Sequence, residues 1–112
     1  MKDNKELVSL VENLKKAQKP IWKRVAKELS KPRRRRVQVN VSKIEQYAKP
    51  DSTVLVPGKV LGSGNLSKKV TIAAFSFSGS AKKLISKVGG KAITIESLHK
   101  SNPEGKGVTI MS

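Results

Sequence analysis

The stretch "VTIAAFSFSGSAKKLISKVGG", Val70–Gly90, decides the fold. From Val70 to Phe77 it is largely apolar, with serines only late, which predicts a mostly buried strand. The period then changes. Ser80 is a helix-capping residue type; beyond it Leu84, Ile85 and Val88 share one face while Lys82, Lys83 and Lys87 share the other. That predicts a helix from Ser80 through Val88, closed by Gly89-Gly90. A strand leading straight into an amphipathic helix is the unit from which α/β folds are built.

Working outward, the same rhythm continues on both sides. Downstream, Ala92 to Ile95 reads as a strand, Glu96 to His99 as a single turn, "SNPEGKG" as a polar loop and Val108 to Met111 as a terminal strand. Upstream, Thr53 to Val56 and Val60-Leu61 read as two short strands around Pro57-Gly58, because proline cannot donate to a central ladder. In "KPRRRRVQVNVSKIEQYAKP", Lys31–Pro50, the alternation of Val37, Val39 and Val41 with Gln38 and Asn40 marks a strand with one buried face. Ser42 and Glu45 have the spacing of a capping box, which predicts a short helix from Lys43 to Ala48. Strands and helices interleave three times with short connections, an α/β order without the long helices of a doubly wound sheet.

Before the arginine run the pattern is purely helical. Apolar residues at 7, 8, 10, 11, 14 and 17 predict a first amphipathic helix over about residues 4–18, with Lys15, Lys16 and Lys19 at its basic exit. Pro20 suits the first turn of a second helix, in which Trp22, Val25, Ala26 and Leu29 share a face opposite Lys23, Arg24, Lys27 and Glu28. Residues 1–36 thus form a basic helical hairpin before a mixed α/β core over 37–112, together one domain. A solvated basic surface is the bland alternative for this hairpin.

Charge narrows the function. The 112 residues carry 24 Lys+Arg against 8 Asp+Glu, a formal net charge of +16 that calls for a large negative partner. With only Trp22, Tyr47, Phe75 and Phe77 as aromatics, contacts to phosphate and sugar are favoured over base-stacking platforms. Cysteine is absent, which removes disulfides and thiolate metal sites and is consistent with a reducing cytoplasm. No signal peptide stands out, and no apolar run approaches the roughly 18 residues that a bilayer requires.

Two glycine- and serine-rich loops offer backbone donors beside lysines. In "GKVLGSGNLSKK", Gly58–Lys69, the glycines are not followed by the lysine-serine pair and helix of a P-loop, and Ser67 stands where a dinucleotide fingerprint needs its third glycine. What remains is a pliable, donor-rich loop flanked by Lys59, Lys68 and Lys69, suited to an extended backbone. The second loop places Ser80, Lys82 and Lys83 at a helix start, where free N–H groups and a positive dipole end favour an anion. Taken locally, ordinary capping with surface lysines is the preferred explanation. Arg33, Arg34, Arg35 and Arg36 offer bidentate forks to phosphate, and such a run also serves as a nuclear address.

Catalysis has little to stand on: His99 is the only histidine, and the acidic residues are isolated or set among lysines on helices. No enzyme activity, metal, cofactor or small-molecule substrate is expected. The alternative binding class is a cytosolic, sequence-independent DNA-binding protein, although no helix presents Asn, Gln or Arg at base-reading spacing.

The succession "RRRRVQVNVSKIEQYA", "TVLVPGKVLGSGNLSKKVTIAAFSFSGSAKKLI" and "GGKAITIESLHKSNPEGKGVTIM" resembles the archaeal and eukaryotic large-subunit ribosomal protein eighteen family, which shares a superfamily with bacterial large-subunit ribosomal protein fifteen. "VNVSKI", "VPGKVLGSG" and "KKVTIAAFSFSGSAKK" carry most of the likeness, which extends over nearly the whole chain from Leu7 and looks like the compact archaeal form. The resemblance implies an irregular superhelix of strand-strand-helix turns and a structural role in the cytoplasmic large ribosomal subunit, in contact with ribosomal RNA and neighbouring ribosomal proteins. It implies RNA contact at Arg33 to Arg36, at Lys59, Ser63, Gly64, Lys68 and Lys69, and at Ser80, Lys82 and Lys83. The hairpin cations Lys15, Lys16, Lys19, Lys23 and Arg24 join that set on charge alone.

Overall fold

The computed structural model describes residues 5–16, 19–31 and 37–111. The chain is an α/β fold in which helices α1 (Lys5–Lys16) and α2 (Pro20–Leu29) precede β1 (Val37–Asn40), α3 (Val41–Tyr47), β2 (Thr53–Leu61), β3 (Thr71–Phe77), α4 (Gly79–Lys87), β4 (Lys91–Thr94), α5 (Ile95–Ser101) and β5 (Val108–Ile110). The basic hairpin and the alternation of strands and helices follow the sequence expectation. The end of the first predicted helix and the arginine run lie outside the described residues.

All four strand pairings are parallel. The sheet runs β1-β2-β3-β4, and β5 also pairs with β2. Both β1 and β5 therefore lie against the same strand: β5 follows Thr53–Leu55, and β1 follows Gly58–Leu61. Pro57 falls between those two ladders, and on the β3 side the register shifts between Val56 and Lys59. A proline without an N–H is tolerated in a central strand at such a bulge. The two short strands expected around Pro57-Gly58 are accordingly one continuous strand.

Successive residues of the strands enter different cores. Val54, Val56, Ile72 and Ala74 join Val41 and Ile44 of α3, Ala81 and Ile85 of α4, and Leu66 and Val70 of the β2–β3 connection. Leu55 and Ala73 join Val11 and Leu14 of α1, Trp22, Val25, Ala26 and Leu29 of α2, and Ile95 and Leu98 of α5. The sheet is thus covered on both faces, which explains the near-continuous apolar run of β3. Progress from β1 to β4 uses connections on the first face, and the return from β4 to β5 runs through α5 on the second. Reversing direction while changing faces preserves a constant crossover hand.

Helix starts differ from expectation in three places. Val41 opens α3 instead of ending a strand, because Asn40 is its N-cap position. Helix α4 is capped by Ser78, whose hydroxyl accepts from Ala81 N–H at 3.2 Å, so the helix begins before Ser80. The single turn expected at Glu96 is a full helix, α5, capped by Thr94 accepting from Ser97 N–H at 3.0 Å. On the second face Trp22 is fully buried, donates Nε1–H to the Pro103 carbonyl at 2.8 Å, and meets His99 edge-on at a centroid distance of 4.8 Å. This contact fastens the hairpin to the loop that leads into β5.

Gly58 marks the tightest point of the β1–β2 pair, since a Cβ there would collide with the Val37 carbonyl oxygen. Gly79, at the start of α4, has nothing within 4 Å of the same position. Gly58→Ala is therefore expected to lower the free energy of chemical unfolding by about 1–3 kcal/mol. Gly79→Ala is expected to leave it unchanged or raise it by about 0.4–1 kcal/mol.

Candidate nucleic-acid interface

In a parallel sheet every strand delivers its following loop to the same edge, which is where ligands of open α/β folds collect. At that edge the start of α3 follows β1, the glycine loop follows β2, and the start of α4 follows β3. The two loops that looked separate in sequence are in contact here. Gly62 N–H donates to Ser78 Oγ at 3.1 Å, and that same hydroxyl caps α4. A Cβ on Gly62 would come within 2.5 Å of the Ser80 carbonyl carbon. Gly64, at φ 99°, would place a Cβ 2.7 Å from Ser42 Cβ. The glycine loop is thus wedged between the first turns of α3 and α4, and close approach explains its glycines.

This geometry corrects two expectations. The loop is held instead of pliable at Gly62, whose N–H is already engaged. The Ser42–Glu45 capping box does not form: α3 has no side-chain hydrogen bond at its N-cap, and Glu45 reaches across to the loop. Its carboxylate accepts from Ser67 Oγ at 2.6 Å, from Ser67 N–H at 2.9 Å and from Lys68 N–H at 3.3 Å. The Ser67 hydroxyl, then the Ser67 amide, with smaller help from Lys68, hold the Glu45 pKa below its ordinary value.

The structure sorts the sequence-derived cations into groups. Lys59, Ser63, Gly64, Ser80, Lys82 and Lys83 are exposed on or beside the loops and helix starts just described, whereas Lys69 is exposed at the opposite end of the sheet, where its carbonyl accepts from Asp51 N–H at 2.7 Å ahead of β2. Lys68 is half-buried and donates Nζ–H to the Ala48 carbonyl at 2.8 Å, so its ammonium ties the β2–β3 connection to the end of α3. Lys15, Lys16, Lys19, Lys23 and Arg24 are exposed on the hairpin, which packs on the opposite face of the sheet from α3 and α4. Lys19 pairs with Glu104 at 2.9 Å, an exposed ion pair of small energetic weight. Arg33 to Arg36 lie outside the described residues. Positive side chains therefore flank the sheet on two faces as well as at the strand ends.

Sequence reading missed Ser78, which joins the two loops. The signal was present, since Ser76, Ser78 and Ser80 alternate before the helix, but nothing local says which hydroxyl meets Gly62. Among the described residues no group of three or more His, Cys, Asp or Glu side chains could hold a metal ion, and no helix is long and apolar enough to cross a membrane.

A small, strongly basic α/β module with converging strand-end loops and cations on two faces has the build of a polyanion-binding protein. The sequence pattern of the family described as "Ribosomal protein 60S L18 and 50S L18e" matches residues 3–112. Three archaeal relatives named "Large ribosomal subunit protein eL18" align along almost their full length. That of Methanococcus maripaludis is 53% identical, covering 100% of this chain and 97% of the relative. That of Archaeoglobus fulgidus is 52% identical over 98% of this chain and 97% of the relative, and that of Haloarcula marismortui is 47% identical over the same shares. The chain belongs to this family of large-subunit ribosomal proteins.

The Glu45 contacts set a pH dependence. Because the folded-state pKa is lowered, their stabilisation is present above the ordinary value of 4.5 and is lost as pH falls through the lower folded value. Glu45→Gln should melt below the wild type at neutral pH, and the gap should close on acidification below that ordinary value. Thermal unfolding followed by circular dichroism across the acid range checks this.

Proposed function

We propose that the chain is a non-catalytic structural constituent of the cytoplasmic large ribosomal subunit that binds large-subunit ribosomal RNA and abuts neighbouring ribosomal proteins. The observation that carries the reading is the strand-end edge, where Lys59, Lys82 and Lys83 stand exposed around a glycine loop held between two helix starts. Such an edge presents charge and backbone donors on a rigid base, which suits recognition of RNA by phosphate and 2′-hydroxyl contacts. The whole-length likeness to relatives named as large-subunit proteins supports the same reading.

Cations on both sheet faces suggest how the module would sit. A protein laid along one RNA helix needs a single basic side, whereas one inserted between RNA segments needs two. In this reading Lys15, Lys16, Lys19, Lys23 and Arg24 of the hairpin face one segment, Lys82 and Lys83 of α4 face another, and Arg33 to Arg36 add phosphate contacts. Lys68 would contribute chiefly by holding the loop in place.

Filter binding to protein-free large-subunit RNA tests the proposal. If about 6–10 phosphates are neutralised, affinity should fall by roughly three to five decades between about 50 and about 200 mM salt, by analogy with duplex DNA. Replacing Lys82 and Lys83 by Ala should weaken binding and make that salt slope shallower, while stability stays within about 0.5 kcal/mol. A flat salt response, or equal affinity for duplex DNA, would contradict the reading.

A further inference from the structure

Four aromatic residues serve this chain, and three have structural employment. Trp22 is fully buried, and Phe75 and Phe77 are half-buried against the two cores. Tyr47 differs: its relative exposure is 64%, at the C-terminal end of α3. The helix packs through Val41, Ile44 and the following Ala48, so its burial does not call for an aromatic ring at position 47. Lys43 stands four residues earlier, one helical turn away on the same side.

Tyr47 and Lys43 form one wall of an open hollow of about 460 Å³, and Thr109, Ile110 and Met111 of β5 and its end form the other. Among the described residues the lining offers a flat ring, an apolar floor, two hydroxyls and one ammonium. Helix α3 carries the chain back toward the start of β2, so the hollow lies away from the strand-end edge. Its size falls within the range of small-ligand sites, roughly 300–1,000 Å³.

We propose that this hollow receives one unpaired nucleobase of the bound ribosomal RNA, stacked on the Tyr47 ring, with Lys43 directed at its phosphate. The inference rests on the ribosomal RNA reading and adds a base-contacting anchor to it. Stacking requires only a π-face and so fits an isolated exposed ring. A cation beside the ring complements a nucleotide, whose phosphate is fixed to the same unit as the base. An obligate protein contact would be marked by a larger contiguous apolar patch. Among the described residues the other exposed large hydrophobic is Val8, on α1 across the sheet.

The test uses the full chain and protein-free large-subunit RNA from gradient-purified subunits. Tyr47→Ala is expected to weaken binding about tenfold, the scale of one lost base stack, without changing the salt slope. Tyr47→Phe is expected to bind like the wild type, and Lys43→Ala to bind more weakly with a shallower slope. Ultraviolet irradiation of the wild-type complex should join a nucleotide to the Tyr47 peptide. Because the ring is exposed, melting temperatures should coincide, which separates binding from folding. Wild-type affinity in Tyr47→Ala at every salt concentration would overturn the inference and leave the ribosomal RNA reading standing. Normal RNA binding by Tyr47→Ala combined with failure to enter reconstituted subunits would also overturn it, assigning the ring to a protein neighbour. Absence of salt-dependent RNA binding by the wild type would overturn the underlying reading and this inference together.

Discussion

The parallel ladders on both edges of Thr53–Leu61 bring together the first and last strands of the chain. Closing such long-range contacts costs loop entropy before any packing repays it, and a chain of +16 adds electrostatic repulsion to that cost. Apolar burial on both faces of the sheet offsets these terms, and among the described residues no charged or polar residue is buried. Gly58 permits the approach of β1, and Pro57 sits where the partner along that edge changes from β5 to β1. Every other element takes its position from this strand: α3 and α4 cover one face, and the hairpin with α5 covers the other.

Parallel order has a functional consequence. It brings the loops after β1, β2 and β3 to one edge, where Ser78 ties Gly62 to the start of α4, while Glu45 ties the returning part of the β2–β3 connection, at Ser67 and Lys68, to α3. The ties use uncharged groups and one carboxylate, leaving the ammonium groups of Lys59, Lys82 and Lys83 at the surface. A rigid base with charged tips lowers the ordering cost of binding a polyanion. The same repulsion that burdens the free chain becomes attraction once phosphate is present.

Much of this was legible in the sequence. The hairpin showed in the spacing of Leu14, Trp22, Val25 and Leu29, and the strand-to-helix switch at Phe77 showed in the change of period. Basic loops and the arginine run pointed to a large anionic partner, and the motifs around "VPGKVLGSG" carried the family likeness. Three features were hidden because they depend on tertiary pairing. Pro57 read as a break because a bulge between two partner strands leaves no local mark. Glu45 read as a helix cap because its acceptors, Ser67 and Lys68, lie across a connection. Tyr47 counted only as one of few aromatics, since exposure at the end of a short helix is set by what β5 leaves uncovered.

The central claim is that the strand-end edge meets RNA inside the large subunit. Lysine acylation followed by mass spectrometry, on intact large subunits and on the free chain, measures it residue by residue. The account predicts that Lys59, Lys82 and Lys83 lose reactivity in the subunit and regain it after ribonuclease digestion. Equal reactivity of those three lysines in the subunit and in the free chain would contradict it.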